Sequence, residues 1–357
     1  MTEPIEMQGR RNRSAVCCFA VAAVLAPLGA ALAEKPALRI GIIGLDTSHA
    51  IAFTKLFHDS EKEAGLQGFR VVAAYPKGSV DIESSVTRIP KYTEQMRGMG
   101  VGIVGSIDDL VGQVDAVLLE TNDGRPHLEQ ALPVMRAGKP LFIDKPVAGS
   151  LSDAIAIFEL ARHYRVPVFS SSSLRYCTGA VDVRSGKIGK VLGATAYSPM
   201  SVEKTHPDLF WYGIHGVELL YTVMGTGCQS VVRTDTDKAT VVTGVWAGGR
   251  IGTFRGLRTG RRGYGGAAFG QKGIADIGPF QGYAPLLVEV GRFFRTGKPP
   301  VSSQETLEIY AFMEAADESK RLGGASASVK AVMERARKEA DGKLRRLLGA
   351  AWKEAKP

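Results

Sequence analysis

Leu38-Arg39-Ile40-Gly41-Ile42-Ile43-Gly44 is the stretch on which the fold turns. A short, nearly continuous apolar run that stops at glycine reads as a strand buried on both faces, and residues 50–59 behind it read as a helix. The alternation then repeats. Strands are expected at 69–75, 101–104, 116–120, 140–144 and 166–171, with helices at 92–99, 107–111, 126–137 and 152–164 between them. Strands and helices alternating at this spacing build a doubly wound parallel α/β sheet, whose ligands sit beyond the carboxyl ends of the strands. Chemistry is therefore sought in the residues just after each strand.

Beyond Ser173 the chain turns to longer strand-like stretches at 191–201, 230–235, 239–245 and 250–257, with a helix over 213–224. An α+β domain with an open, mostly antiparallel sheet and helices on one face is expected. Residues 285–294 and 305–322 read as further helices, the second with Leu307, Ile309, Tyr310, Phe312 and Met313 on a broad apolar side. The domains are thus 38–172 and 173–325, followed by a basic helical tail at 326–357. From residue 327 onward the tail holds nine Lys or Arg against four Asp or Glu, more than half of the formal +9 of the 357-residue chain. Its charges are interleaved with Ala and acids, the pattern of a solvated helix face and not of a nucleic-acid surface. With 45% apolar and 23% charged residues, the chain can bury two cores and is not a disordered or low-complexity protein.

Residues 1–33 belong to neither domain. Arg10, Arg11 and Arg13 precede an apolar run over residues 15–32, broken by Pro27 and Gly29 and closing in Ala31-Leu32-Ala33. Those are the charged, apolar and cleavage regions of a signal peptide, and the arginine pair points to the twin-arginine route. An uncleaved anchor is the competing reading, since the run approaches the ~20 residues that span a bilayer. Pro27, Gly29 and the small residues at the exit favour cleavage. A periplasmic or otherwise exported protein beginning near Glu34, with no membrane span after processing, is expected. Cleavage removes Cys17 and Cys18 and leaves Cys177 and Cys228, too few for a disulfide framework.

Gly41-Ile42-Ile43-Gly44, Asp144-Lys145-Pro146, Arg175-Tyr176, Gly186-Lys187-Ile188-Gly189 and Gly213-Ile214-His215, in this order, resemble the Gfo/Idh/MocA family of oxidoreductases over residues 38–324. The resemblance implies a Rossmann-type NAD(P)-binding domain at 38–172 and a carbohydrate or polyol substrate against the open sheet of the second domain. It also implies a homo-oligomer joined through that sheet.

Gly44-Leu45-Asp46-Thr47-Ser48-His49 stands where a dinucleotide's pyrophosphate meets a helix N-terminus. Of the family's G-x-G-x-x-G only the first glycine is present; Asp46 and His49 occupy the other two places. An ionised Asp ~5 Å from a phosphate charge costs roughly 3 kcal/mol at an effective dielectric near 20. Alternatively Asp46 turns inward as a cap and leaves Thr47, Ser48 and backbone N–H groups for the phosphates. His49 is open between a ligand contact and helix packing. After the second strand, Lys77 and Ser79 suit a 2′-phosphate, which keeps NADP beside NAD, although Pro76-Lys77-Gly78-Ser79 is also ordinary turn chemistry. Thr121, Asn122 and His127 fall where the family lines its cofactor cleft. Asp144-Lys145-Pro146 matches the family's Glu-Lys-Pro with the acid shortened, and implies that Lys145 holds the nicotinamide ribose and stabilises a developing alkoxide.

In the second domain the resemblance makes His215 the residue that exchanges the hydroxyl proton. The family places an Asp four residues earlier, where this chain has Trp211; Glu218, Glu203 or Asp208 would have to substitute for it. Arg175, Tyr176, His206, Trp211 and Glu218 are the candidate substrate contacts, together with Tyr264 in the glycine-rich stretch 250–273. His206, His215, Glu203 and Glu218 follow no strong metal spacing, and no metal is expected. Two functions follow. The first is an exported sugar or polyol oxidoreductase with a tightly held NAD(P). The second is a cofactor-independent relative acting as a carbohydrate-binding protein, lyase or isomerase, which Asp46, His49 and Trp211 favour.

Overall fold

The computed structural model describes residues 1, 37–59, 64–349 and 352. The expected signal at 1–33, Met1 apart, lies outside them. Among the described residues no helix is long and apolar enough to cross a membrane.

The first half runs β1 (Leu38–Ile43), α1 (Ser48–His58), β2 (Phe69–Tyr75), α2 (Glu83–Gly98), β3 (Gly102–Ile103), α3 (Ile107–Val111), β4 (Ala116–Leu119), α4 (His127–Arg136), β5 (Leu141–Asp144), α5 (Leu151–Tyr164) and β6 (Val168–Ser171). Its strands pair in parallel in the order β3-β2-β1-β4-β5-β6. Strands β4, β5 and β6 are buried at every position, as helices on both faces require. The strand order reverses between β1 and β4, which opens a crevice at their carboxyl ends. Gly44 makes the turn there: its φ is +94°, and a Cβ on it would lie 2.3 Å from the Thr121 backbone nitrogen. Helix α2 starts well before the expected residue 92 and carries Pro90 within it. Its early turns are mostly exposed, so they show no apolar period to read.

The second half contributes α6 (Thr178–Arg184), β7 (Val191–Pro199), a π-helical turn at Leu209–Gly213 running into α7 (Ile214–Met224), and β8 (Cys228–Asp235). There follow β9 (Ala239–Trp246), β10 (Arg250–Leu257), β11 (Gly265–Gly270), β12 (Gly273–Asp276), α8 (Ala284–Thr296), α9 (Ser303–Arg321), β13 (Ala327–Ser328) and α10 (Val329–Leu348). The sheet order is β12-β11-β7-β10-β9-β8-β13, with β7 and β10 parallel and the other pairs antiparallel. Helix α7 lies against the inner face so closely that a Cβ on Gly216 would meet the Phe254 ring at 2.4 Å.

Residues 36–357 form one compact unit. Leu286, Leu287, Val290 and Phe293 of α8 join Phe57, Phe142 and Phe169 in the core under the first sheet. Helix α10 buries Val329, Val332, Ala336, Ala340 and Leu344 on one stripe. Lys343, on the same helix, reaches α5, donating to Ser152 Oγ at 3.0 Å and pairing with Asp153 at 2.5 Å. Most of the tail's charge faces solvent while its apolar stripe docks. Cys177 and Cys228 are buried free thiols.

Candidate active site

The carboxyl ends of three adjacent strands deliver the acids and the lysine. Glu120 follows β4, Asp144 ends β5 with Lys145 directly after it, and His49 stands in the first turn of α1 after β1. From the other half, α7 brings His215. His49, Tyr212, His215, Tyr264, Phe280 and Tyr283 border a cavity of about 40 Å³, with Ser173 and Leu174 at its floor. That volume holds water or a small ion, and lies far below the ~300–1,000 Å³ of small-molecule sites.

Lys145 is 5% exposed, with its Nζ 5.9 Å from the Tyr212 ring centroid. The Tyr212 ring is in turn 5.3 Å from that of His215. Burial first, then the charges of Lys145 and His49, hold His215 well below its ordinary 6.5, so its imidazole is neutral at neutral pH. Lys145 and His215 therefore share one site. Nδ1 of His215 lies 2.7 Å from Ser172 Oγ. With Nδ1–H donated to that hydroxyl, Nε2 presents the lone pair a base needs.

Glu218 does not take the place of the missing Asp. Its carboxylate accepts from Ser171 Oγ at 2.7 Å, the Ser172 N–H at 2.8 Å and Arg175 Nε at 2.8 Å. It fixes the segment that carries Ser172, and Ser172 orients the histidine; no motif or periodicity marks this serine. Asp208 is turned away to Arg233 and Lys320. Trp211 packs its ring 4.9 Å from His206. The expected substrate contacts Arg175 and Tyr176 stand elsewhere. Arg175 is buried between Glu218 and Glu305, 2.6 Å from the latter, and Tyr176 packs against the core under the first sheet. His206 lies 3.0 Å from Asp123, and with Glu203 it does not converge on His215, so the four possible ligands weighed from spacing do not assemble.

At the cofactor edge the loops are closed on one another. Asp46 is fully buried and accepts from Ser85 Oγ at 2.6 Å and the Asn122 N–H at 2.9 Å, while burial raises its pKa despite these bonds. Gly78, next to Lys77, sits so tightly on it that a Cβ would approach Asp46 Oδ2 to 2.5 Å. Thr47, not Asp46, caps α1 by accepting from the His49 N–H. Ser48 and Lys77 are exposed. Ser79 donates to Asp123, which Arg125 and His206 also engage; burial opposes these contacts, but together they hold the Asp123 carboxyl well below the usual range. An open groove of about 620 Å³ bordered by Gly78, Ser79, Asp123 and Arg125 shares no lining residue with the cavity at His215. His127 is a correction to the expected cofactor set. It is fully buried, with Nε2 2.8 Å from the Thr121 carbonyl and Nδ1 3.2 Å from the Val147 carbonyl; burial lowers its pKa, so the neutral ring donates to one of the two carbonyls and lies between them away from the cleft.

These residues do not fit a dinucleotide in the extended pose, in which the pyrophosphate rests on N–H groups beyond β1. The Asp46 carboxylate already holds the Asn122 N–H and Ser85 hydroxyl, and Gly78 closes the passage beside it.

His49 meets both of its readings. Its ring stacks on Phe53 at 5.2 Å and edges Tyr283 at 4.7 Å, while Nδ1 lies 2.7 Å from Asp144 Oδ2. Glu120, at the end of the strand expected over 116–120, is buried beside them. The signal was present in a carboxylate closing an otherwise apolar buried strand.

Residues 38–172 match the model of the Gfo/Idh/MocA oxidoreductase family, NAD-binding Rossmann fold. A 1,5-anhydro-D-fructose reductase of Ensifer adhaerens is 34% identical over 122 residues, 32% of this chain and 36% of the reductase. An inositol 2-dehydrogenase of Gluconacetobacter diazotrophicus is 36% identical over 91 residues, 24% of this chain and 27% of the dehydrogenase. The chain thus aligns with about a third or less of the length of these relatives. The crystal structure of scyllo-inositol dehydrogenase from Lactobacillus casei, with bound NAD(H) and scyllo-inositol, superposes with a TM-score of 0.64 at 15% identity. That match covers 82% of this chain and 99% of the other, a likeness of fold through both halves.

Proposed function

The chain belongs, through residues 38–172, to the Gfo/Idh/MocA family of oxidoreductases, and from that premise we propose that it acts on a hydroxyl-bearing carbon of a sugar or polyol. The observation that carries this reading is the approach of Lys145 and His215 to one ring, that of Tyr212, at 5.9 Å and 5.3 Å from its centroid, beside the cavity that His215 borders with Tyr212, Tyr264 and Tyr283. A substrate hydroxyl seated there gives its proton to neutral His215, and the Lys145 ammonium stabilises the alkoxide that develops. The aromatic walls suit the faces of a sugar ring. Export through the twin-arginine route accords with a protein that folds before crossing a membrane, and an N-terminus near Glu34 in the secreted form is the outcome mass spectrometry should find.

The oxidoreductase reading includes a tightly held NAD or NADP. Such a cofactor has to displace Asp46 from Ser85 and Asn122 before its pyrophosphate can rest there. The buried Asp46 and the closed Gly78 loop favour the second reading, in which the same acid–base pair serves a cofactor-independent lyase or isomerase, or the cleft serves only to bind carbohydrate. Heat denaturation of the purified protein decides between them. Nicotinamide absorbance and fluorescence in the supernatant support the oxidoreductase. A supernatant without either, from a protein that also binds no added NAD or NADP, overturns it in favour of the second reading.

A further inference from the structure

The buried carboxylates at the ends of β4 and β5 are not accounted for by proton transfer at His215. Glu120 is fully buried, and among the described residues neither of its oxygens has a hydrogen-bond partner. A carboxylate withdrawn from water with nothing to bond is among the most unfavourable groups a protein can hold. Burial first, and then the neighbouring Asp144, hold its carboxyl well above the usual range; Lys145 opposes this without bonding it. His49 and Asp144 stand beside it, with His49 Nδ1, a Glu120 oxygen and an Asp144 oxygen all within 4.8 Å of one another. The three come from the carboxyl ends of neighbouring strands β1, β4 and β5, the edge where this architecture places its ligands. His49 also borders the 40 Å³ cavity that reaches His215.

We propose that His49, Glu120 and Asp144 bind a divalent cation. One imidazole nitrogen and two carboxylates form an N/O donor set suited to Mn²⁺ or Zn²⁺, with metal–ligand bonds of about 2.0–2.2 Å. Small shifts from the present spacing bring the three atoms to one centre. The two carboxylates outweigh the nearby Lys145 charge, and a cation satisfies the Glu120 oxygens that the protein leaves unbonded. Three protein ligands leave further coordination positions toward the cavity. There a substrate with adjacent oxygens, such as a vicinal diol or hydroxyketone, can meet the ion as well as Lys145 and His215. His49, in the place of a family glycine, supplies a ligand. The site goes beyond either reading of the chemistry and does not depend on which one holds.

The test reads metal uptake and not turnover, so it is separate from the test of function. Purified protein is stripped with chelator, dialysed, and titrated with MnCl₂ alone by calorimetry and by the loss of free-Mn²⁺ electron paramagnetic resonance signal. One Mn²⁺ per chain is expected, with at least tenfold weaker binding in Glu120→Gln and in Asp144→Asn. His49→Ala is the further variant should either carboxylate change prevent folding, as checked by circular dichroism. Anomalous diffraction at the manganese edge should place the ion between the three side chains. Absence of binding at millimolar Mn²⁺ and Zn²⁺ by a folded parent overturns the proposal. Binding that the folded variants leave unchanged, or an anomalous peak elsewhere, overturns it equally.

Discussion

His215 owes its usefulness to where its proton is refused. Burial, and after it the charge of Lys145 and the neighbouring His49, keep the folded-state pKa well below 6.5. In the unfolded chain the same side chain takes up a proton near 6.5. Below that pH the unfolded state therefore binds the extra proton, and stability rises with pH through the window up to about 6.5, where the contribution is complete. The slope from one such group is at most about 1.4 kcal/mol per pH unit. Urea denaturation of the parent and of His215→Gln between pH 5 and 7.5 should show the parent losing stability more steeply on the acid side. Parallel curves would mean that His215 titrates normally and is not held neutral. In turnover, His215→Ala should cost roughly 10²–10⁴-fold on whichever sugar or polyol proves active, the range for a positioned acid–base group.

At the scale of elements, the loops after β1, β2 and β4 decide what the first sheet can hold. Asp46→Gly removes the carboxylate that joins them, returns a glycine to the turn, and frees the Asn122 N–H and Ser85 hydroxyl for an anion. Calorimetric titration with NAD and NADP should then show binding tighter than in the parent, by up to roughly 3 kcal/mol if Asp46 acts by charge repulsion alone. Equal or absent binding in both proteins would place the obstacle in the Gly78 loop or remove the dinucleotide from the reading. This closure was only half legible in the sequence. The parallel sheet could be read because β1, β4 and β5 are apolar runs ended by glycine or acid, and the alternation with α1, α4 and α5 is regular. The inward turn of Asp46 was one of two options, since a one-dimensional pattern does not say that Ser85, in the exposed early part of α2, lies beneath it. His127 looked like a cleft residue because position alone cannot show that two carbonyls already hold its ring. The Glu120–His49–Asp144 group joins residues up to 95 positions apart, and only the strand order brings them together. Strands β11 and β12 escaped notice because Gly265, Gly266, Gly270 and Gly273 erase the alternation that marks a strand.

For the whole molecule, the second sheet has one face packed against α7 and α9 and another that, among the described residues, is left exposed. On that outer face Ile251 is opposite Val245 across β10 and β9, and the two are 52% and 38% exposed. Tyr197 and Val232 extend the patch across β7 and β8, and Thr195, Thr243 and Thr253 fill the places between them. These apolar side chains share the face with the threonines and with exposed Arg255, opposite Tyr197 and Val241, and exposed apolar groups clustered on an open sheet mark a contact surface. We propose that two copies of the chain bury it face to face about a two-fold axis, so that the same strands meet themselves at the ~10 Å spacing of packed sheets. A stable pair requires about 800 Å² from each partner, an area that several strands of this sheet can provide. Val245→Lys together with Ile251→Lys sets charges near the centre of the patch, where a symmetric contact would place like charges against each other without water. Light scattering behind size exclusion should find the parent at twice the chain mass and the double variant at once the chain mass. Because His215 and the cavity it borders lie on the α7 side of the sheet, the variant should keep its activity per chain. A parent that runs as a monomer at micromolar concentration, or a folded double variant that remains paired, would show that this face is not where the copies join.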